Sequence, residues 1–440
     1  MPTRNFKLAL PFSAKARRTG EQPISFLVSA AMANPSLINL AAGLVDPLTL
    51  PVDAVGEITR RIFKDQTRAR AALQYDTTLG LAPLRKAVLK HLERCENKSA
   101  GDFGLTDRDI LITTGSQQAL YLLGDVLIDP GDIVIAANPC YFVYTGTLAS
   151  LGARVLTVPM REDGMDVDAV EQLLERLETQ GILNRVKLIY TTSYFQNPTG
   201  LSLSEAGRRR LLEIAKRFSR QHRLLILEDA AYRELRYDGP SLPSMKSMDP
   251  ENQYTILTQT FSKPFAPGLK TGYTAMPPDL LEAVLHQKGN HDFGSSSLTQ
   301  HIALEAMESG LFDQQVEVLR AGYSHKRDAM LDALTKHIPA DAGITWTKPA
   351  GGLYVWMSLP APISTSRDSA LFRAAVATGV LYVPGDYCFQ PDESGAIPKN
   401  YLRLSFGQVA PQQIEPGIQR LAKALGGVLE TAAMAGGAVQ

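Results

Sequence analysis

Between about residues 110 and 275 the chain alternates short apolar runs with amphipathic helical patterns, and this alternation constrains the fold more than any other feature. The strand candidates DILIT, DIVIA, VKLIYTT, RLLILE and QYTILTQT are nearly continuous in apolarity, as strands buried on both faces are. Between them, stretches such as SEAGRRRLLEIAKRFSRQ carry apolar residues three and four apart behind a serine typical of a helix N-cap. The pattern predicts an α/β fold, with a large domain whose mostly parallel sheet is flanked by helices.

A smaller α+β domain is predicted after residue 300, where long helical patterns give way to strand-like pieces around GGLYVWMSLP and NYLRLSFG. We expect the tail to be mobile because it is rich in Ala and Gly and has few large apolar groups. The predicted divisions are an N-terminal arm (1–40), a small-domain segment (41–65), a large domain (66–300), a C-terminal small domain (301–425) and the tail (426–440).

Composition argues against several kinds of partner. Basic and acidic residues balance at 45 each, so we expect no nucleic-acid partner, and an anionic ligand must be held by local charges. No run of about 18 apolar residues is present, so no membrane partner is expected either. Cys95, Cys140 and Cys388 lack the spacing of a zinc site or a disulfide framework. We interpret them as buried small hydrophobic residues of a protein in a reducing compartment.

The first 18 residues, MPTRNFKLALPFSAKARR, are basic and free of acidic residues, as transit peptides are. They lack the apolar stretch of a secretory signal. We favour an arm that lies on the rest of the molecule, and we expect a cytoplasmic protein.

Polar or turn-forming residues follow five of the strand candidates. In open parallel sheets, ligands bind beyond the carboxyl ends of the strands, so these residues are expected to converge. Turn and cap chemistry explains each segment equally well when it is taken alone. Together they supply an anion site at a helix N-terminus, a buried carboxylate and an amine, which are the three requirements of pyridoxal phosphate. The segments are TGSQQ, NPCY, SYFQNPTG, the residues from Asp229 to Tyr232, and the stretch that contains Lys263.

Nine motifs between about residues 38 and 407 carry a family resemblance. They are INLAAGLVDPLTLP, LQYDTTLGLAPLRKAV, TTGSQQAL, NPCYFVY, YFQNPTG, EDAAYREL, TFSKPFAPGLKTGY, KPAGGLYVWMSLP and YLRLSFG. On these motifs the chain resembles fold-type I pyridoxal-phosphate enzymes of the class I/II aminotransferase family. Within that family it is most similar to the 2-aminoadipate and kynurenine aminotransferase branch.

The resemblance implies roles around the cofactor ring. Lys263 would form the Schiff base with pyridoxal 5'-phosphate, and Asp229 would pair with the ring nitrogen. An ionised carboxylate there favours the protonated ring, which is the form that withdraws electrons. Asn197 and Tyr232 would hydrogen-bond the phenolic oxygen of the ring, and Tyr141 would stack on its face.

The resemblance also implies a phosphate site and a homodimer with shared active sites. Tyr75 resembles the tyrosine that reaches the phosphate in the neighbouring subunit. The family usually has arginine where this chain has Lys270, and lysine neutralises phosphate without arginine's planar two-point bond, so altered cofactor retention is expected. The implied phosphate ligands of the chain's own site are Ser116, Gln117, Thr260, Ser262 and Lys270.

The implied reaction moves an amino group between an L-amino acid and a 2-oxo acid. Arg403 matches the arginine that binds the substrate α-carboxylate, with Asn197 and Gly43 beside the same group. Lys263 would also act as the general base at the substrate Cα. The arm segment PISFLVSAAMANPS is mostly apolar, so a helix over the site would favour a long or hydrophobic substrate. A helix packed only against the core is equally consistent with that segment.

Three alternatives remain open at this point. The same machinery runs carbon–carbon or carbon–sulfur lyase reactions, because the site only selects which bond is aligned with the cofactor. Aminotransferase-like domains also serve as ligand-sensing parts of transcription regulators, but about 40 residues before the AAGL motif are too few for a winged helix-turn-helix. A catalytically inactive binding protein is disfavoured because nearly every chemical residue is present.

Overall fold

An eight-stranded sheet dominates the structure, a computed structural model that describes residues 10–436 except 22, 24, 27–33, 35, 100 and 393. The strand order is β2-β9-β8-β7-β6-β3-β4-β5, and its inner pairs from β8 to β4 are parallel. β9 runs antiparallel to both β8 and β2, so β2 points the same way as the parallel strands. The strands are β2 (Ile110–Thr113), β3 (Ile133–Asn138), β4 (Arg154–Arg161), β5 (Gly164–Met165), β6 (Val186–Thr192), β7 (Leu225–Asp229), β8 (Thr255–Thr260) and β9 (Gly272–Ala275).

Helices cover both faces of this sheet. In β3, Ile133 and Ile135 pack with the helices of 167–179 and 205–218, while Val134 packs with helices on the other face. Successive residues of a strand point to opposite faces, so a strand buried on both sides must be continuously apolar. The predicted α/β class with a mostly parallel sheet flanked by helices is confirmed.

The helices of the described residues have the following bounds. They are α1 (Ala14–Arg18), α2 (Val52–Lys64), α3 (Gln66–Leu73), α4 (Ala82–Cys95), α5 (Gly115–Leu127), α6 (Phe142–Leu151), α7 (Val167–Thr179), α8 (Glu205–Phe218), α9 (Pro278–His291), α10 (Ser297–Glu308), α11 (Leu311–His337), α12 (Ala370–Thr378) and α13 (Pro411–Gly436). None of them combines the length and the apolar character that crossing a bilayer demands.

Two smaller sheets lie towards the C-terminus. A four-stranded antiparallel sheet has the order β10-β11-β14-β13, and β1 pairs in parallel with β12. Helix α13 continues beyond residue 425 into the segment expected to be mobile. Most of PISFLVSAAMANPS, and residues 1–9 and 437–440, lie outside the described residues. The strands are β1 (Ile38–Asn39), β10 (Thr345–Trp346), β11 (Tyr354–Ser358), β12 (Val380–Leu381), β13 (Val383–Pro384) and β14 (Tyr401–Ser405).

A fully buried ion pair ties the loop after β6 to the sheet. Arg208 Nη1 donates to Glu228 Oε1 at 3.1 Å, and neither side chain is exposed to solvent. Arg208 Nη2 also donates to the Ser193 carbonyl at 2.6 Å, and the Ser193 hydroxyl donates to Glu228 at 2.7 Å. Burying two charges is tolerated when they are paired and their remaining hydrogen-bonding groups are satisfied. The start of the SYFQNPTG loop is therefore fixed against β7.

Candidate active site

A cavity of about 480 Å³ lies at the carboxyl edge of the large sheet. Parallel strands end on the same side, so the segments after β2, β3, β6, β7 and β8 meet there. Every predicted site residue except Tyr75 lines this cavity. They are Gly43, Ser116, Gln117, Tyr141, Asn197, Asp229, Tyr232, Thr260, Ser262, Lys263, Lys270 and Arg403.

One end of the cavity has the chemistry of an anion site. Helix α5 begins at Gly115, so its unpaired N–H groups and its dipole favour a negative charge. A Cβ on Gly272 would lie 2.7 Å from the Gly115 carbonyl carbon and 2.8 Å from the Ser116 nitrogen, so only glycine lets β9 start this close to the helix. The Thr260 hydroxyl donates to the Ser262 hydroxyl at 2.8 Å. These hydroxyls and the helix N–H groups fit a phosphate.

The backbone of Lys270 has an unusual conformation for a non-glycine residue. Its φ of 50° places it in the left-handed region, directly after the short helical turn Pro267–Leu269. Lys270 is exposed and lines the anion end of the cavity. Its ammonium group therefore adds a positive charge at that end.

Asp229 is a buried carboxylate at the end of β7. It accepts hydrogen bonds from the Tyr190 hydroxyl at 3.1 Å and from the Ala231 N–H at 3.3 Å. Burial raises the pKa of the Asp229 carboxyl to about 6, although these two hydrogen bonds act in the opposite direction. No cationic side chain of the described residues forms an ion pair with Asp229. The carboxylate thus fits a ligand that brings a positively charged N–H group, as a protonated pyridine ring does.

Lys263 lies in the loop after β8. Its Nζ donates to the Gly43 carbonyl at 2.8 Å and lies 5.8 Å from the centre of the Tyr232 ring. The Tyr232 hydroxyl lies 2.9 Å from the Tyr354 hydroxyl. An amine and two phenol groups therefore face one another across the middle of the cavity.

Arg403 brings a buried guanidinium from β14 of the small sheet. Its Nη1 donates to Asn197 Oδ1 at 2.7 Å and its Nη2 donates to the Ala41 carbonyl at 2.8 Å. Arg403 Nε has no hydrogen-bond partner among the described residues, and Arg403 is only 2% exposed. A buried guanidinium without a carboxylate partner fits an acidic ligand group.

Two tyrosines of the site escaped the sequence analysis. Tyr354 lines the cavity, and its ring centre lies 4.3 Å from the Arg403 guanidinium carbon. Tyr190 supports Asp229 from β6. Tyr354 could have been identified from the motif KPAGGLYVWMSLP, to which it belongs. Tyr190 could have been identified from its position near the end of an apolar strand.

Tyr75 does not line the cavity of its own chain. It is 79% exposed, and its ring packs edge-on against Phe293 with 5.5 Å between the ring centres. Phe293 is 58% exposed. These two aromatic rings present an apolar patch to solvent.

One cavity at the edge of the largely parallel sheet therefore contains an anion site, an amine, and a buried carboxylate that no cationic side chain in the described part of the chain pairs with. This fold and this site define a pyridoxal-phosphate-dependent enzyme of the fold-type I class. A family model for aminotransferases of class I and II matches residues 35–421, and the chain belongs to that family.

Relatives agree in fold and in type of activity. Aromatic-amino-acid aminotransferase 1 of Thermococcus litoralis is 38% identical over 389 residues, which cover 88% of this chain and 88% of the relative. The crystal structure of Pyrococcus horikoshii kynurenine aminotransferase, in complex with PMP, has a TM-score of 0.86 at 33% identity and covers 95% of this chain and 98% of that one. The structure of LysN, the α-aminoadipate aminotransferase of Thermus thermophilus, has a TM-score of 0.82 at 33% identity. It covers 96% of this chain and 98% of that one, and it is complexed with N-(5'-phosphopyridoxyl)-L-leucine.

These findings confirm the predicted family, enzyme type and cofactor. The chain is an aminotransferase that depends on pyridoxal phosphate and transfers amino groups between amino acids and 2-oxo acids. The lyase alternative is not favoured.

The raised pKa of Asp229 predicts a pH-dependent cost to the cofactor-free fold. A folded pKa of about 6 against the usual 3.8 means that the stabilising protonated form is fully present below pH 3.8 and is lost as the pH rises through 6. The difference of about two between these pKa values corresponds to about 3 kcal/mol in the free energy of unfolding. Asp229→Asn should therefore raise the free energy of unfolding of the cofactor-free protein at pH 8, and by progressively less as the pH falls below 6.

Urea unfolding of the two proteins between pH 5 and pH 8 measures this difference. Asp332→Asn serves as the control because Asp332 is exposed and lies outside the cavity. A gain from Asp229→Asn that is the same at every pH would contradict the prediction.

Proposed function

We propose that Lys263 is the catalytic residue of this aminotransferase and that the cavity at the carboxyl edge of the sheet is its active site. The observation that carries the proposal is that an amine, a buried carboxylate and a buried guanidinium, those of Lys263, Asp229 and Arg403, line one cavity. In this proposal the amine acts at the substrate Cα, the carboxylate at the cofactor ring and the guanidinium at the substrate carboxylate. The three groups together therefore orient a substrate as well as bind it.

Lys263 has two tasks in this proposal. Bound pyridoxal phosphate supplies a carbonyl carbon that takes up an amine and a ring that accepts the electrons left at the substrate Cα. Lys263 would hold the cofactor covalently in the resting enzyme. When free, its Nζ would accept the proton from the substrate Cα and give it back in the same half-reaction. The 2.8 Å hydrogen bond from Nζ to the Gly43 carbonyl supports a position for this amine in the middle of the cavity.

The polar groups around Lys263 hold the ring. Asp229 would pair with the ring nitrogen and keep it protonated, and Tyr190 orients the Asp229 carboxylate. Asn197 and the Tyr232 hydroxyl would bind the phenolic oxygen, and Tyr141 would stack on the ring. We add Tyr354 to this set, because its hydroxyl lies 2.9 Å from that of Tyr232 and orients it.

The anion end of the cavity binds the phosphate. The helix N–H groups at Ser116 and Gln117 supply neutral donors, and Lys270 supplies the charge. Thr260 and Ser262 add hydroxyl groups, which their mutual hydrogen bond holds together.

The lining of the cavity favours substrates with an apolar or aromatic side chain. Arg403 binds the substrate α-carboxylate, with the Gly43 backbone beside it. The lining also includes the apolar residues Ala42, Leu44, Phe142 and Val143, and its other unassigned polar side chains are the uncharged Thr114 and Thr192. The cationic side chains of this lining, Lys263, Lys270 and Arg403, are all assigned to other tasks. The aromatic and kynurenine substrates in the names of two relatives support the same preference.

Amino-donor specificity tests this preference. We expect kcat/KM for phenylalanine and leucine to exceed that for aspartate by at least about tenfold, because a second carboxylate would be buried without a cation. Bleaching of the cofactor absorbance in single turnovers measures each donor under the same conditions. A strict preference for aspartate would contradict the proposed preference for substrates with an apolar or aromatic side chain.

We also propose a cytoplasmic homodimer with shared active sites. Three free cysteines support a reducing compartment. The exposed patch of Tyr75 and Phe293 supports an interface between subunits. Tyr75 then reaches the phosphate site of the partner subunit, which explains why it stands apart from the cavity of its own chain.

Variants of two lysines in the segment after β8 test catalysis and cofactor binding separately. Lys263→Ala should lower kcat by at least about 100-fold at saturating pyridoxal phosphate, because proton transfer at Cα is lost. Lys270→Ala should weaken cofactor affinity but recover most of kcat once the cofactor is saturating. Stopped-flow turnover and equilibrium cofactor titration measure the two effects. Normal turnover by Lys263→Ala would refute the catalytic assignment.

Mixed dimers test the position of Tyr75. Tyr75→Ala and Lys263→Ala proteins are each expected to be weakly active at limiting pyridoxal phosphate. If Tyr75 acts across the interface, a mixed dimer contains one intact site, so random mixing should restore about a quarter of the unmodified activity. Absence of recovery, with dimer exchange verified by mass spectrometry of the intact complex, would show that Tyr75 does not act on the partner's site.

A further inference from the structure

A second cavity, of about 710 Å³, shares a chain segment with the active site. The segment from Asp229, the last residue of β7, to Glu234 lines the active-site cavity with Asp229 and Tyr232, and it lines the second cavity with Arg233 and Glu234. Helices α4 and α11 supply much of the remaining wall. The active-site proposal uses none of the side chains in this second cavity.

Three potential metal ligands converge on the wall of this cavity. His91 and Cys95 are four residues apart on α4, so their side chains lie one above the other on the same helix face. Glu234 faces them from the segment after β7. His91 Nε2 lies 3.0 Å from Glu234 Oε1, Cys95 Sγ lies 3.5 Å from His91 Nε2, and Cys95 Sγ lies 4.0 Å from Glu234 Oε1.

These separations match one face of a tetrahedral zinc site. Zinc binds nitrogen and oxygen at about 2.0–2.2 Å and sulfur at about 2.3 Å, so donors at tetrahedral angles lie roughly 3.3–3.6 Å apart. The three observed separations bracket that range. Small shifts of the side chains therefore bring all three donors to bonding distance, and all three residues line the second cavity.

The charge balance also permits a divalent cation at this position. A metal ion would bind His91 Nε2 in place of the hydrogen bond to Glu234, and zinc binds cysteine as the thiolate, so binding releases a proton. The guanidinium of Arg320 lies 3.8 Å from Glu234 Oε2 and stabilises the carboxylate form that a metal ion needs.

Arg233 and Arg94 lie next to the three potential ligands and would be affected by a bound metal ion. Arg233 is 7% exposed, its Nη2 lies 2.6 Å from Glu96 Oε1, and its Nη1 has no hydrogen-bond partner among the described residues. Arg233 lines the cavity, and the positive charge of its guanidinium attracts an anionic ligand to that wall. Arg94 Nη2 donates to His91 Nδ1 at 3.1 Å, so this contact must be released when Nε2 binds a metal and the ring proton moves to Nδ1. Arg94 already pairs with Asp313 at 2.7 Å on the surface and can turn towards it.

We propose that His91, Cys95 and Glu234 form a binding site for a zinc-type divalent cation, with the fourth ligand supplied from the cavity. Thiolate and imidazole ligands select zinc over magnesium or calcium. Glu234 is two residues from Tyr232. An ion bound here holds the segment that also carries residues of the active site.

Isothermal titration of the holoenzyme with zinc chloride tests the site. We expect one ion per chain, with affinity at least about 100-fold lower for Cys95→Ser and His91→Gln. Substitution with cobalt(II) should give tetrahedral d–d absorption at longer wavelength than the cofactor bands, and Cys95→Ser should abolish it. Arg94→Ala should bind zinc at least as tightly as the unmodified protein, because the competing contact at Nδ1 is removed.

Matched controls separate this site from other zinc-binding groups. Cys388→Ser removes a buried thiol outside the cavity, and Glu317→Gln removes a carboxylate that lines the cavity without joining the cluster. Both should leave the stoichiometry and the affinity unchanged. Circular dichroism verifies that each variant is folded. Equal zinc affinity of the unmodified protein and Cys95→Ser, or no binding at micromolar zinc, would overturn the proposal, whereas transamination by Lys263 is tested independently of it.

Discussion

The common direction of the parallel strands is the constraint on which the active site depends. β2, β3, β6, β7 and β8 end at one edge of the sheet, although their last residues are far apart in the sequence. The register places Thr192 of β6 beside Asp229 of β7, and Asp229 beside Thr258 of β8. Apolar burial of both sheet faces fixes this arrangement, so the core positions the polar groups at its edge without contributing chemistry to them.

Contacts from β11, β14 and the Gly43 backbone to the edge of the large sheet complete the cavity. Arg403 donates to Asn197, the Lys263 amine donates to the Gly43 carbonyl, and Tyr232 meets Tyr354. A Cβ on Gly43 would overlap the Tyr354 hydroxyl, so glycine at this position allows the approach. These contacts are short and polar, and a displacement of β11, β14 and Gly43 by a few ångströms from the edge of the large sheet would break all of them together.

The strand ends were predictable from the sequence because strand patterns and turn residues are local signals. Asp229 and Lys263 directly follow apolar runs, and the topology rule brings such positions to one edge. Tyr354 was not predictable in this way. It is the first residue of β11 in the four-stranded sheet, and its approach to Tyr232 depends on how that sheet packs against the large sheet, which no local pattern encodes. The second cavity shows the same limit, because Glu234 lies more than a hundred positions after His91 and contacts it only in the folded protein.

The expectation that the cysteines are buried holds for Cys140 and Cys388, whereas Cys95 is only partly buried.

Some buried charged side chains pair with each other and stabilise the fold, whereas others are left for a ligand to pair with. Arg208 and Glu228 are completely buried and satisfy each other, so they stabilise the fold without needing a ligand. Asp229 and Arg403 are buried nearly as deeply, but the described part of the chain pairs neither of them with an opposite charge. Leaving a charge unpaired in the interior destabilises the protein, unless a bound group supplies the missing partner. In an aminotransferase the ring nitrogen of the cofactor and the carboxylate of the substrate have the required charges, and the cavity between Asp229 and Arg403 is where they would meet them.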